Sequence, residues 1–171
     1  MLCDKGRLGK SVFYEESVHI PLIIRPVEAD NRGTVCDRLV SLIDVYPTIL
    51  DLAGCKPVWR GFGKLLLPLI NEPEAPHHDA VFSEIESFST RRTMIINERF
   101  KMVIDSAGRV LKLYDLKEDP EENVNLVGKT DTEKIVSKLK HRILTWILET
   151  QTRQTIRSCT DIETKRACEI T

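Results

Sequence analysis

Alternation of apolar and polar residues is clearest in the second half of the chain. Four short segments there are rich in branched and aromatic residues and are separated by turn residues, as is typical of β-strands. They are residues 80–86, 90–97, 100–105 and 110–114. Residues 106–109 (SAGR) predict a hairpin turn, because Gly108 readily adopts a positive φ. This half of the chain therefore predicts a small antiparallel sheet of about four strands.

A helical pattern follows the predicted sheet. Between residues 131 and 149, apolar side chains recur at intervals of three and four residues and form one stripe. The stripe consists of Ile135, Leu139, Ile143, Trp146 and Ile147. Such a stripe must pack on an apolar surface, and the predicted sheet supplies one. Residues 151–171 are polar and show no clear period, which predicts a mobile tail.

The first half of the chain has a different pattern, with short apolar runs instead of alternating apolar and polar residues. Residues 17–25 (SVHIPLIIR) form a short apolar run that ends at Pro26, which is typical of a strand buried on both faces of an α/β sheet. Residues 35–40 predict a second short strand. Such strands need neighbours, and little of the chain before residue 17 has the composition to provide one.

Residues 41–53 predict a helix. Ser41 and Asp44 have the spacing of a capping box, and Gly54 follows at the position where glycine commonly ends a helix. Pro47 removes one backbone donor and predicts a kink in the first turns. The glycine- and proline-rich residues 55–79 predict a connector.

Together these elements predict an α/β chain in unequal parts. Residues 1–76 would be the closing piece of a larger mixed-sheet domain, and residues 77–150 a small subdomain with an antiparallel sheet packed on one long helix. Residues 151–171 would form the polar tail.

Composition and charge exclude several classes of protein. The 171 residues are 42% hydrophobic and 30% charged, and the formal net charge is -1. A balanced chain of this kind has neither the basic surface that nucleic acids require nor a polybasic run for membranes. No apolar run reaches the length of a membrane helix, and the N-terminus shows no secretory signal. The compartment is left open.

The cysteines suggest no metal finger. There are five, none in a CxxC pair: Cys3, Cys36, Cys55, Cys159 and Cys168. Isolated buried thiols are the expected state, with a Cys159–Cys168 bridge as the alternative.

The histidines and carboxylates give weak chemical signals when taken one at a time. His77 and His78 are adjacent in the connector without a companion carboxylate–histidine spacing, so we expect exposed side chains rather than metal ligands. His19 predicts a packed or sheet-edge side chain, and His141 lies off the apolar stripe of its helix. The acidic residues 115–122 lack the order of a calcium loop and predict a solvated turn.

Lys10 is the strongest candidate for a site residue. It lies between Gly9 and Ser11 in a loop and offers a point charge to a sulfate or phosphate oxygen. A solvated surface lysine is the ordinary alternative.

Three segments resemble landmarks of the sulfatase family, within the alkaline-phosphatase superfamily. Their order along the chain is that of the C-terminal portion of such enzymes. They are residues 9–24 (GKSVFYEESVHIPLII), 39–54 (LVSLIDVYPTILDLAG) and 113–126 (LYDLKEDPEENVNL). The resemblance covers about residues 1 to 150.

The resemblance implies a sulfuric ester hydrolase. Lys10 matches the family lysine that holds a sulfate oxygen, and Tyr14 and Glu15 match positions that would support the loop. The family also implies a formylglycine nucleophile and a calcium ion, both held by segments upstream of these residues. On that basis the chain has no metal ligand of its own, acts on a sulfate ester only in the complete protein, and is inactive alone. Family members are often periplasmic, secreted or lysosomal.

Two other hypotheses stay open at this point. A phosphonate or phosphodiester hydrolase of the same superfamily would share this region. A non-catalytic truncated domain would instead self-associate through exposed sheet edges, giving a homo-oligomer. The chain departs from the family pattern at Cys3 and Lys5 in LCDKG, where LGDHG is usual, and at Lys64, beside an expected serine.

Overall fold

The computed structural model describes residues 3–25, 33–55, 61–87 and 90–168, with backbone alone for residue 87 and residues 152–168. Its centre is one antiparallel sheet of four strands in chain order. The strands are β1 (Ala80–Ser87), β2 (Thr90–Asn97), β3 (Phe100–Asp105) and β4 (Val110–Asp115). The predicted sheet is confirmed, as is the turn at Gly108, whose φ is 73°.

Strand register gives the sheet two apolar faces. Ile95, Met102 and Leu113 lie side by side across β2, β3 and β4 and are fully buried. The neighbouring row of Met94 and Val103 points to the opposite face, because successive side chains of a strand alternate. Each face therefore needs its own cover.

The helix α4 (Glu133–Cys168) covers the first face. Leu139 and Ile143 pack against Ile95, Met102 and Leu113, as the apolar stripe predicts. At the edge, the ring of Trp146 stacks on that of Phe82, with centroids 4.6 Å apart and planes 5° from parallel. Arg142 also pairs with Asp79, just before β1, with Nε 2.9 Å from Oδ2.

The predicted end of this helix, near residue 149, is wrong. The helical backbone continues to Cys168 and includes most of the segment predicted as a polar tail. These residues contain no glycine or proline, and their many long polar side chains are compatible with a helix. Cys159 and Cys168 are therefore nine positions apart on one helix. A rise of about 13 Å separates them, and disulfide-bonded cysteines need Cα atoms within about 7 Å, so this helix does not allow the bridge. The expectation of buried thiols is wrong for Cys3 and Cys55, which are exposed.

Leu139 should carry a measurable part of the stability. Leu139→Ala removes a side chain that is 3% exposed, and we expect it to lower the free energy of unfolding by about 2–3 kcal/mol. Leu148→Ala is the matched control, because Leu148 is 55% exposed on the same helix. Urea unfolding of the two variants checks this. Equal effects would mean that α4 does not pack on the sheet as described.

The predicted strand over residues 17–25 is wrong. The chain forms the short helix α1 (Glu15–Val18) and then an irregular segment outside any sheet. Among the described residues no strand lies beside it, so the backbone forms no ladder and the apolar side chains stay exposed. Ile23 is 92% exposed, and Ile20 and Leu22 are also exposed. Residues 35–40 likewise form no strand.

The predicted helix at residues 41–53 is confirmed in a shorter form. A 3-10 turn at Leu42–Asp44 leads into α2 (Val45–Leu52), and Gly54 follows with a φ of 66°. The capping box of Ser41 and Asp44 forms as expected. Pro47 lies in the first turn of α2, where its missing N–H has no helical partner to lose. A further short helix, α3 (Leu67–Asn71), follows.

Phe13 covers the second face of the sheet. It packs with Met94, Ile96 and Val103, and Val18 and Leu39 close the edge of this cluster. The N-terminal loop and the sheet therefore share one core.

Candidate functional site

Lys10 lies on an exposed loop directly before Phe13. Its side chain is exposed, and its carbonyl accepts a hydrogen bond of 3.4 Å from Ser17 Oγ. The described residues bring no other candidate catalytic group to this side chain. What the structure does show is how the loop that carries Lys10 is held.

Lys101 anchors this loop from inside the sheet. Its ammonium donates to the Phe13 carbonyl at 3.0 Å and to the Glu15 carboxylate. It also lies 2.7 Å from Glu122 Oε1, as an ion pair rather than a directed hydrogen bond. Glu122 in turn accepts the backbone N–H of Glu15, at 2.7 Å. The side chains of Lys101 and Glu122 are both 1% exposed, so three segments meet in a buried charge cluster.

Tyr14 adds a second attachment. Lys112 donates to its hydroxyl, and the Lys112 ammonium lies 3.9 Å from the centre of the Tyr14 ring. The hydrogen bond from Lys112 lowers the pKa of Tyr14. Tyr114 lies against Tyr14 with ring centroids 6.3 Å apart, and burial raises the pKa of Tyr114. Glu15 and Tyr14 thus both hold the loop against the sheet.

The start of the loop is tied to the same acidic turn as Glu15. Lys5 donates to the carbonyl of Glu121 and to Asn123 Oδ1, the latter at 2.9 Å. A small cleft opens between the loop and the sheet. Its lining includes the cationic side chains of Arg7, Arg92 and Lys112. An anion placed beside this loop would meet a positive surface.

The acidic turn of residues 115–122 does not offer its carboxylates to a calcium ion. Asp115 pairs with Arg99 at 2.7 Å, and Asp119 accepts the N–H of Val124 at 2.7 Å. Glu122 is committed to Lys101. Calcium takes about six to eight oxygen ligands, and no such set is free among the described residues of this turn. This acidic turn therefore does not fit a calcium site.

His77 and His78 are not exposed, which corrects the expectation from sequence. Their side chains are 4% and 13% exposed, and both rings face the buried carboxylate of Asp44. His77 Nε2 lies 3.3 Å from Asp44 Oδ2, and His78 Nε2 lies 3.0 Å from each Asp44 oxygen. The carboxylate also accepts the N–H groups of Ser41 and Lys64, each at 2.8 Å.

Burial and hydrogen bonding set the charges in this cluster. Burial opposes ionisation of Asp44, but the hydrogen bonds from His78, Lys64 and Ser41 outweigh it and lower the pKa of the carboxyl. Burial lowers the pKa of His77, and the bond to Asp44 offsets only part of this.

We expect the chain to lose stability as the pH falls below about 6.5. Unfolded His77 takes up a proton at its usual pKa of 6.5, whereas the folded state resists protonation to lower pH. The unfolded state therefore binds more protons in this window, and stability rises with pH there. Asp44 adds a loss of the same sign below its usual pKa of 3.8.

Urea unfolding at several pH values, in a buffer with chelator, checks this. His77→Gln should flatten the dependence near pH 6, and His141→Gln, at an exposed position of α4, should not. An unchanged slope in the His77 variant would contradict the assignment.

The other histidines are placed more simply. His19 is exposed and lies 3.3 Å from the Glu15 carboxylate through Nδ1. It is not packed in a sheet. His141 is exposed, as its position off the apolar stripe predicts.

Comparison with known proteins decides the family. The family model described as N-sulphoglucosamine sulphohydrolase, C-terminal, matches residues 4–149. The chain belongs to the sulfatase family. Human arylsulfatase K is 30% identical over 131 residues, which cover 70% of this chain and 24% of that protein. The N-acetylglucosamine-6-O-sulfatase of Bacteroides thetaiotaomicron is 28% identical over 163 residues, which cover 88% of this chain and 28% of that protein.

Solved structures agree with this assignment. A 2-O GAG sulfatase superposes with a TM-score of 0.54 at 32% identity, over 67% of this chain and 26% of that one. This chain spans about a quarter of the length of such relatives and corresponds to their C-terminal region. No helix in the described parts of the chain combines the length and apolar character of a membrane span.

Proposed function

We propose that the complete protein hydrolyses sulfate esters and that Lys10 binds a sulfate oxygen of the substrate. The observation that carries the proposal is the position of Lys10. By resemblance it matches the lysine of the family pattern, it lies within the matched region, and the next residues of its loop are held to the sheet by Lys101 and Lys112.

The chemistry suits a fixed cation. Cleavage of a sulfate ester builds negative charge on the nonbridging and leaving oxygens. An ammonium held beside them stabilises the transition state more than the ground state. Such a group is effective only if its position is set before the reaction, and the buried cluster of Lys101, Glu15 and Glu122 provides that rigidity.

Formylglycine and calcium, in this proposal, belong to polypeptide other than these 171 residues. A lone cation cannot replace a nucleophile and a metal ion, so we expect the chain by itself to be inactive. The exposed apolar side chains of Ile20, Leu22 and Ile23 suit packing against such polypeptide, because an isolated chain gains nothing by exposing them.

Ester specificity gives the first test. The complete protein, assayed with an aryl sulfate, an aryl phosphodiester and an aryl phosphonate, should hydrolyse the sulfate with the highest kcat/KM. The 171-residue chain should hydrolyse none of them. A preference for the phosphodiester or phosphonate would favour the other hydrolase class of the superfamily. Hydrolysis by the 171-residue chain alone would contradict the proposal that the nucleophile and the metal ion belong to other polypeptide.

Self-association is the competing, non-catalytic hypothesis. The exposed apolar segment around Ile23 and the outer edge of β1 are surfaces through which two copies of the chain could pair. Sedimentation of the chain alone tests this. A complete protein that stays monomeric and cleaves sulfate esters would remove this hypothesis.

A further inference from the structure

Two histidine rings and one carboxylate converge beneath the N-terminal end of α2. The atoms that face one another are His77 Nε2, His78 Nε2 and the two oxygens of Asp44, and one ligand atom from each residue lies within 4.8 Å of the others. This is the one group of three or more metal-ligating side chains among the residues that the structure describes. It is formed by two segments that are more than thirty positions apart.

The Asp44 carboxylate has four polar partners. Oδ2 faces the Ser41 N–H at 2.8 Å and His77 Nε2 at 3.3 Å, Oδ1 faces the Lys64 N–H at 2.8 Å, and His78 Nε2 lies 3.0 Å from each oxygen. A carboxylate has about four lone-pair positions, so hydrogen bonds satisfy it when both rings carry their proton on Nε2. When the ring protons lie on Nδ1 instead, the two Nε2 lone pairs and Oδ2 face one another and suit a single cation.

We propose that Asp44, His77 and His78 form a binding site for a zinc-like divalent transition metal ion. Each ring contributes Nε2 and carries its proton on Nδ1, the carboxylate contributes Oδ2, and a water molecule completes four ligands. Imidazole nitrogen and a carboxylate oxygen form a ligand set that zinc commonly takes. The same set is unsuitable for calcium, which prefers oxygen ligands throughout.

Ligand spacing supports the proposal. Two ligands at about 2.0–2.1 Å from a tetrahedral ion lie about 3.3 Å apart. The observed distances from Oδ2 to the two Nε2 atoms are 3.3 and 3.0 Å, close to that spacing, and all three ligand atoms lie within 4.8 Å of one another.

The carboxylate is already oriented by its surroundings. Ser41 and Lys64 each donate a backbone N–H to it, and metal sites commonly use such outer hydrogen bonds to fix their ligands. The Lys64 ammonium bonds to the carbonyl of His77 and places one positive charge nearby, which opposes the ion. His78 also borders a wide surface groove, which gives an ion a route of entry.

A bound ion would join three parts of the chain. Asp44 precedes α2, the Lys64 N–H belongs to the loop before α3, and His77 and His78 lead directly into Asp79 and β1. The site would act on stability by holding these segments together, and it is independent of the sulfate chemistry proposed for Lys10. A protein that does not bind the ion can therefore still be assayed for sulfate-ester hydrolysis, and a protein that does not hydrolyse sulfate esters can still be tested for ion binding.

Titration of the 171-residue chain with zinc chloride tests the proposal. The protein is first freed of metal with chelator, kept reduced and dialysed, and binding is followed by calorimetry near neutral pH. We expect one ion per chain, with a dissociation constant in the micromolar range or below, and a rise in Tm when zinc is present. His77→Gln and His78→Gln should each weaken binding at least about tenfold. His141→Gln, at an exposed position of α4, should bind zinc like the unaltered chain.

Cobalt spectroscopy of the unaltered chain gives a readout that does not depend on the folding of variants. Visible bands of a tetrahedral cobalt site without thiolate charge transfer would support nitrogen and oxygen ligands. A thiolate band would instead place the ion on a cysteine and overturn the proposal. Failure of the unaltered chain to bind zinc, or full binding by both the His77 and His78 variants, would overturn it as well.

Discussion

Replacing Lys101 by methionine is expected to lower the free energy of unfolding by about 3–5 kcal/mol, because it leaves the buried Glu122 without its cation. Methionine keeps most of the volume and the shape of the side chain, so the loss reports charge rather than a cavity. Glu122 is 1% exposed and cannot turn to solvent for compensation, whereas Glu15, at 31% exposed, can do so in part.

Denaturant unfolding of the 171-residue chain measures the effect, which corresponds to a Tm lower by roughly 10 °C. The matched control combines Lys101→Met with Glu122→Gln. Glutamine is neutral and still offers an oxygen to the N–H of Glu15, the bond seen at 2.7 Å. The double variant should therefore recover much of the loss, since no unpaired charge stays buried.

Additive effects of the two substitutions would show that the charges of Lys101 and Glu122 do not interact and that the loop is held by its other contacts, those of Phe13, Tyr14 and Lys5. A stable Lys101→Met variant would lead to the same conclusion. Either result would contradict the role of the buried cluster in fixing the loop that carries Lys10.

The sheet and its helix were predictable from the sequence because their signals are local. Alternating apolar positions define each strand, and Gly108 marks a turn. The stripe that includes Leu139 and Ile143 records the face that α4 buries. No such stripe continues past residue 151. The sequence signal for a helix there is the absence of glycine and proline, which is weaker than an apolar stripe.

The predicted strand at residues 17–25 shows the limit of local signals. The apolar run indicates that these side chains are suited to burial. Among the described residues, however, nothing covers Ile23, which is 92% exposed. A strand is defined by its neighbours, which the run itself does not encode.

The two polar clusters depend on contacts between distant parts of the sequence. Lys101 meets Glu15 across 86 positions, and His78 meets Asp44 across 34. One signal was present in the sequence: Lys101 lies in the apolar strand Phe100–Asp105, where an inward lysine needs an acidic partner. For His77 and His78, adjacency in a proline-rich connector suggested exposure, and nothing local indicated Asp44.

Lys10→Ala is expected to lower kcat of the complete protein toward an aryl sulfate about 10²–10³-fold, the usual effect of removing one group that stabilises developing negative charge. KM should change less than kcat, because the ammonium contributes most where that charge is greatest. Lys129→Ala removes another exposed lysine from a loop and is the control for a general loss of positive charge.

Stability separates this role from a structural one. The side chain of Lys10 is exposed, so Lys10→Ala should leave the free energy of unfolding of the 171-residue chain within about 0.5 kcal/mol of its original value. Lys101→Met should show the opposite order of effects, with a large loss of stability and a loss of activity that follows from displacement of the loop. If Lys10→Ala retained full kcat while the unaltered protein cleaved sulfate esters, the ammonium would not bind the reacting sulfate, and the buried cluster behind it would serve the fold alone.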